Sequence, residues 1–572
     1  MAEPASSFPP VVREAARRFA LQNAAAHGQP DPGAVMGKIM AEFPELRPRA
    51  KEVSALVREV VAGLAPLSQA DARATLEKEA PELLVRERKE RDLSLPDLLG
   101  AQEGKVVMRL APYPSGPLHV GNARMAVLND EYVKRYKGRL LLVYDDTIGS
   151  EEKLPVLEAY DLIRQGLEWL GVRIDGVAYK SERMEIFYTW AVRLLKTHGA
   201  YVCECGAAEL RENRERGLEC AHRGRTVEEN LDLFAKMLAG GFREGEAIVR
   251  LRTDMRAPDP AFRDRVLLRI SERPHPRAGT RYRVWPMLEF SWAVDDHLLG
   301  ITHVLRGKDL VIEDRMEAAI WQKLGVSGPA FGHFGMLRVA DAKISKSKSM
   351  AEVRSGQYTG WDDPRTWSLQ SLSSRGIEPE AVRRFVLSFG LSMQDIEVPA
   401  ENLYAENRRL LEARANRYFF VADPMSIAID GTPSSGLQAS APLHPDHPER
   451  GVRHHILPAP VKVYVPRADF LALRPGDRVR LKDLGNVECT KTGYQYVGND
   501  LSVLKEGVRI VHWCPPYAIP GVVVYPDGAR AEGMVERLAA TEAGKVVQFE
   551  RMGFARIRRS DGKQLEAYFA HR

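Results

Sequence analysis

The sequence predicts an α/β protein: a doubly wound, Rossmann-like domain carrying an insertion, a helical appendage before it and β-barrels after it. Three observations predict this. A strand–helix–strand–helix texture runs from Lys105 to Leu170. A cysteine-bearing stretch with alternating strands follows, from about residue 201. After Asp423, short alternating strands are separated by turn residues. The length agrees: 572 residues, at ~100–200 per domain, make roughly three to five domains and exclude a single small binding module.

Residues 1–100 form the helical appendage. Val11, Ala15, Phe19 and Asn23 recur at helical spacing, Pro30 to Gly33 make a turn, and a second helix starts near Ala34. No cluster of chemistry-bearing residues falls there. Residues 101–200 hold the first half of the α/β domain. Val106 to Leu110 is a short, mostly apolar strand, and Ala111-Pro112-Tyr113-Pro114-Ser115-Gly116-Pro117 is a turn that no helix tolerates. A helix follows from about Gly121 to Tyr136, then a strand from Arg139 to Tyr144 whose Leu140–Val143 run suits a buried parallel sheet. Pro155 to Leu170 is an amphipathic helix.

Residues 201–284 are the insertion, 285–360 the second half of the α/β domain, and 361–420 a connector read as helical from Pro379 to Arg417. Residues 421–572 hold the barrels, with strands such as Val461–Val465, Arg478–Leu481, Val522–Tyr525 and Val546–Phe549.

Composition narrows the class. At 44% hydrophobic and 28% charged, the chain is too apolar to be disordered. No run approaches ~18 apolar residues, so no membrane span is expected. Met1 to Pro10 lacks a signal-peptide pattern, and five sparse cysteines argue against a disulfide framework, so a cytoplasmic location is expected. The net charge of +5 is uneven: Arg450 to Arg572 carries 20 Lys+Arg against 13 Asp+Glu, a net +7. This basic C-terminal stretch is a candidate surface for a polyanion.

Two elements carry nucleotide chemistry. His119-Val120-Gly121-Asn122 sits where the first strand turns into its helix, and N–H groups at a helix start attract phosphate. Gly121 permits close approach to the backbone, and His119 and Asn122 offer hydrogen-bond donors. Far downstream, Lys343-Ile344-Ser345-Lys346-Ser347-Lys348 is a cationic loop able to hold a pyrophosphate leaving group. Either alone is weak; the pair is specific.

This pair resembles the two signature motifs of class I aminoacyl-tRNA synthetases. The stretches Arg109 to Gly121, Tyr144-Asp145-Asp146-Thr147, Val294 to Asp309 and Gly360 to Arg365 narrow the likeness to the glutamyl/glutaminyl branch, in its archaeal glutamyl type. The resemblance covers roughly residues 100 to 570. It implies that L-glutamate is joined through a glutamyl-adenylate to the 3′ end of tRNA(Glu), and leaves tRNA(Gln) open as a second acceptor. ATP enters with Mg2+. His119, Asn122, Lys343 and Lys346 are the implied catalytic residues, and Gly121 and Ser345 join them around ATP. Arg109 would meet a substrate carboxylate, Asp145 the α-amino group, and Arg306 the α-carboxylate. The insertion would bind the tRNA acceptor end and the barrels the anticodon, with Arg467, Arg478, Arg480 and Lys482 as candidate contacts. A monomer is the family's usual state.

Two departures stand out. The first motif often ends in His where this chain has Asn122, which donates a hydrogen bond but carries no charge. Bacterial relatives have a tyrosine where this chain reads Leu288, which cannot hydrogen-bond the substrate side chain. The alternatives are a glutaminyl-tRNA synthetase, disfavoured by the archaeal-type context, and a catalytically inactive tRNA-binding protein, disfavoured by the intact lysine motif.

Cys203, Cys205, Cys220 and His222 form a C-x-C…C-x-H set whose three thiolates and one imidazole fit a structural Zn2+. Cys489 and Cys514 lie in apolar strand contexts and read as structural thiols.

Overall fold

A computed structural model describes residues 8–64, 66–80, 83, 93–148, 154–340, 342 and 346–572. The chain divides into two units, Met1–Asp92 and Leu93–Arg572.

In the first unit, helices α1 (Pro10–His27), α2 (Pro32–Glu42), α3 (Ala50–Leu64) and α4 (Gln69–Glu79) surround one apolar core. Asp31 caps α2 by accepting from the Gly33 N–H, and Ser68 caps α4 through the Asp71 N–H. The buried face of α1 is Val12, Ala15, Ala16, Ala20, Leu21 and Ala24; of the residues expected at helical spacing Ala15 lies on it, whereas Val11 is 59% exposed. Val11 and Val12 are both β-branched and adjacent, so spacing alone left the phase open.

The second unit starts with alternating strands and helices: β1 (Val107–Leu110), α5 (Val120–Arg135), β2 (Arg139–Tyr144), α6 (Leu157–Trp169) and β3 (Gly176–Tyr179). The three strands are parallel, in the order β1-β2-β3. The insertion follows as α7 (Met184–Lys196), β4 (Ala200–Cys203), α8 (Ala207–Arg216), α9 (Val227–Leu238), β5 (Ile248–Leu251), β6 (Val266–Ile270) and β7 (Val284–Pro286). Its four strands make an antiparallel sheet in sequence order.

The α/β pattern resumes with α10 (Leu288–Leu298), β8 (His303–Gly307), α11 (Val311–Leu324) and β9 (Ala330–Phe334), β8 and β9 being parallel. Thr302 sews this pair to the free edge of β1: its N–H donates to Val107 O at 2.9 Å, and its Oγ1 accepts the Val107 N–H at 2.9 Å. The strand order is therefore β3-β2-β1-β8-β9. Connections leave β1 toward β2 on one side while β8 lies on the other. That reversal opens a crevice at the C-terminal ends of β1 and β8, where doubly wound sheets bind ligands.

After β10 (Leu337–Val339) come α12 (Lys346–Arg354), α13 (Leu369–Arg375), α14 (Pro379–Leu387), β11 (Ile396–Val398) and α15 (Glu401–Leu411). The stretch expected to be helical from Pro379 to Arg417 is thus broken in the middle. Gly390 has φ +55°, Pro399 cannot sit inside a helix, and Ile396–Val398 pairs in parallel with β10 instead.

Two curled sheets and a two-stranded ribbon, Leu437–Pro442 with Val452–Leu457, complete the chain. A seven-stranded sheet has Arg417–Tyr418 at one edge and Phe420–Ala422 at the other. Only Phe419 separates these edges, so the sheet bends round until they meet. A six-stranded sheet has Val461–Pro466 and Arg509–Val511 at its edges, and mutual backbone hydrogen bonds between Tyr464 and Cys514 draw these together. Both close most of the way into barrels, each round its own apolar core.

Candidate active site at the sheet's switch point

The crevice is a cavity of about 620 Å³. β1 supplies Arg109, the start of α5 supplies His119, Gly121 and Asn122, α10 supplies Trp292, and β8 supplies Arg306. Residues 336–340, which include β10, close the far wall. Five of the residues singled out by the sequence therefore share one cavity.

His119 and Asn122 form a reciprocal cap on α5. His119 Nδ1 accepts the Gly121 N–H at 3.1 Å, and Asn122 Oδ1 accepts the His119 N–H at 3.3 Å. The neutral ring therefore carries its proton on Nε2, and the donors of Asn122 lie on its amide nitrogen. This accounts for Asn in place of His: an amide both closes the cap and keeps a donor. Gly121 also has a packing role beside the one expected of it. A Cβ there would lie 2.9 Å from Leu337 O, so glycine admits the backbone of β10 against α5.

Arg109 is 5% exposed and forms a two-toothed pair with Asp296, which is fully buried on α10. Its Nη2 donates to Oδ2 at 2.8 Å and its Nε donates to Oδ1. Arg306 donates through Nη2 to Asp314 Oδ1 at 2.5 Å and to Glu317 Oε1 at 2.8 Å. His333 Nε2 lies 3.0 Å from Asp314 Oδ2. Trp292 gathers the cations: Arg109 and Arg306 each lie 4.9 Å from its ring and Lys180 lies 5.2 Å away.

Asp145 and Leu288 do not line this cavity. Asp145 is 4% exposed, and Lys180 Nζ lies 2.9 Å from its Oδ1. The same Nζ donates to Ser291 Oγ at 2.7 Å, and Ser291 Oγ in turn donates to Leu288 O at 3.0 Å. Leu288 is half-buried at the first position of α10. Lys343 and Ser345 lie outside the described residues, and Lys346 opens α12.

Sequence reasoning missed Lys180, Trp292, Asp314 and Glu317. A lone lysine between Tyr179 and Ser181 gives no signal. Only the fold brings Trp292 to the cavity and sets Asp314 and Glu317 against Arg306.

The sulfur cluster lies in the insertion. Cys203 Sγ is 3.9 Å from Cys220 Sγ and 3.8 Å from His222 Nδ1, and Cys205 Sγ is 3.4 Å from His222 Nδ1. All four ligand atoms lie within 4.8 Å of one another. Zn–S bonds of about 2.3 Å in a tetrahedron place sulfurs about 3.8 Å apart, so the donor set fits zinc. Arg250 Nη1 lies 3.7 and 3.8 Å from Cys203 and Cys220, a cation suited to an anionic thiolate site. The hydrogen bond between Cys203 and Cys220 lowers the Cys220 thiol and, together with burial, raises that of Cys203.

The candidate anticodon contacts divide. Arg467 and Arg478 are exposed and pair with Asp423 and Glu488 at 3.1 and 2.9 Å. Arg480 is only 7% exposed and holds Asn486 and Asn499, so its role is internal. Lys482 pairs with Glu550 between the two sheets. Cys489 and Cys514 are buried thiols. No helix among the described residues is long and apolar enough to cross a membrane.

Comparisons with known proteins agree with this architecture. Residues 105–413 match the family model of the class I (E and Q) tRNA synthetase catalytic domain, and residues 415–503 match the anticodon-binding domain of the same family. A glutamate–tRNA ligase of Pyrococcus abyssi is 42% identical over 98% of this chain and 100% of its own length. Those of Methanoculleus marisnigri and Methanopyrus kandleri are each 44% identical, over 97% and 98% of this chain and 98% and 99% of theirs.

Proposed function

The chain belongs to the class I tRNA synthetases of the glutamate and glutamine branch, and from that premise we propose how its cavity attaches L-glutamate to tRNA. The enzyme is an aminoacyl-tRNA ligase that uses ATP. One observation carries the site assignment: the start of α5 and two buried arginines converge on one cavity at the switch point of the sheet.

The α5 end of the cavity takes the ATP phosphates, with magnesium carried on them. His119 Nε2–H and the amide of Asn122 donate to phosphate oxygens at the positive end of the α5 dipole. The glutamate α-carboxylate attacks the α-phosphorus, the bond to the β-phosphate oxygen breaks, and pyrophosphate leaves. Lys343 and Lys346, with Ser345, stabilise the charge that builds on that leaving group. Arg109 and Arg306 receive substrate carboxylates. Asp145 is assigned to the α-ammonium on its motif alone, since its carboxylate lies outside the cavity, paired with Lys180. With Leu288 unable to hydrogen-bond, side-chain recognition falls on the arginines. In the second step a hydroxyl of the terminal adenosine of tRNA attacks the adenylate carbonyl, and AMP leaves.

Cys203, Cys205, Cys220 and His222 hold a structural zinc that braces the insertion. A closed set of four protein ligands leaves no open position for catalysis. The acceptors are tRNA(Glu) and, in a non-discriminating enzyme, tRNA(Gln). The net +7 of Arg450 to Arg572 supports a grip on the tRNA backbone. The enzyme acts as a cytoplasmic monomer.

Charging assays with labelled glutamate or glutamine on each tRNA test this reading. Glutamate on tRNA(Glu) is expected. Glutamine transfer in its place would overturn it.

A further inference from the structure

Arg306 is held from one side only. Its Nη2 is shared between Asp314 Oδ1 at 2.5 Å and Glu317 Oε1 at 2.8 Å, and its Nε donates to Asp314 Oδ1 at 3.2 Å. Its Nη1 is buried without a hydrogen-bond partner, and so is Glu317 Oε2. A pocket-lining guanidinium with an unmatched buried donor calls for an acceptor from outside the protein.

The charge count adds a condition. Asp296 is already matched to Arg109. Arg306 is left with two carboxylates, Asp314 and Glu317. If both were ionised, they would more than cancel the guanidinium, and an anionic substrate would meet net negative charge. We propose that Glu317 is a positioning residue whose hydrogen bond aims Arg306 at a substrate carboxylate, and that it must be uncharged to do so. This rests on Arg306 meeting that carboxylate, as assigned above.

The surroundings of Glu317 favour the neutral form. It is fully buried on α11. Burial, with Asp296 on α10 adding repulsion, pushes its carboxyl up to about 8 against the pull of Arg306 on β8 and Arg109 on β1. Asp314 on its own helix shares Arg306 with it, and His333 on β9 touches Asp314. Below about 8 the acid is neutral and Arg306 keeps its charge for substrate. Above it, ionised Glu317 competes for that charge and the KM for glutamate rises.

Steady-state charging by the full-length enzyme, with complete tRNA, gives KM for glutamate and for ATP between about pH 6.5 and 9. Wild type is expected to lose glutamate affinity several-fold on the alkaline side. Glu317→Gln, neutral at every pH, is expected to match wild type near pH 7 and to show no alkaline rise. Glu317→Ala is expected to raise KM for glutamate about 10–100-fold at all pH values with KM for ATP unchanged. A Gln variant as impaired near pH 7 as the Ala variant, or one that keeps the alkaline rise, would overturn the proposal. Arg306→Lys separates the two claims: unchanged KM for glutamate there would overturn the assignment of Arg306 itself.

Discussion

Arg109 and Asp296 lie 187 positions apart in the chain and meet as a two-toothed pair that joins β1 to α10 beneath the cavity. With side chains 3% and 0% exposed, neither has water as a substitute partner. Asp296→Asn is expected to cost about 3–5 kcal/mol of stability, because it leaves a buried charge unmatched. Urea unfolding measures this. The double replacement Arg109→Met with Asp296→Leu should recover much of the loss while abolishing charging.

His119→Ala removes a donor and half of the α5 cap. A loss of about 10²–10³-fold in kcat is expected in single-turnover charging. Asn122→His restores a cap acceptor and a donor, so it should stay within about threefold of wild type, whereas Asn122→Ala should not.

Gly121→Ala places a Cβ 2.9 Å from Leu337 O, a backbone atom that cannot swing aside. β10 must shift, at a cost of about 1–3 kcal/mol. Because β10 walls the cavity, KM for ATP should rise more than KM for tRNA.

Elemental analysis of purified protein should find one zinc per chain, and Cys220→Ser should lose it. Removal of zinc by chelation should lower the melting temperature and impair charging more than it impairs ATP binding, since the cluster sits in the insertion. A preparation that charges tRNA at full rate without zinc would count against the assignment.

Acid sensitivity should centre on Glu536. Burial raises its carboxyl, but His455 and Arg453 outweigh that and hold it below the ordinary value. A lowered carboxyl contributes stability that is present above the unfolded-state pKa, about 4.3, and is lost as pH falls through the folded value. Unfolding of the wild type should therefore ease below about pH 4.3. Glu536→Gln should be less stable at neutral pH and should flatten that part of the profile.

Much of this was legible in the sequence, for local reasons. The Leu140–Val143 run, the proline-rich turn before His119 and the cysteine spacing are each set by residues close in the chain. The strands Arg139–Tyr144 and Val546–Phe549 fall where their patterns put them. What escaped depends on tertiary pairing. Ile396–Val398 looks helical until β10 offers it hydrogen bonds. Arg480 looks like a surface cation on an alternating strand, yet Asn486 and Asn499 draw it inside. Lys180 and Glu317 matter only through Asp145 and Arg306, which no spacing connects to them.

Glutamate-dependent ATP–pyrophosphate exchange, run with and without tRNA and with glutamine in parallel, decides whether this cavity forms glutamyl-adenylate. Exchange is expected with glutamate in the presence of tRNA and none with glutamine. Exchange driven by glutamine, or no exchange under any of these conditions, would contradict this.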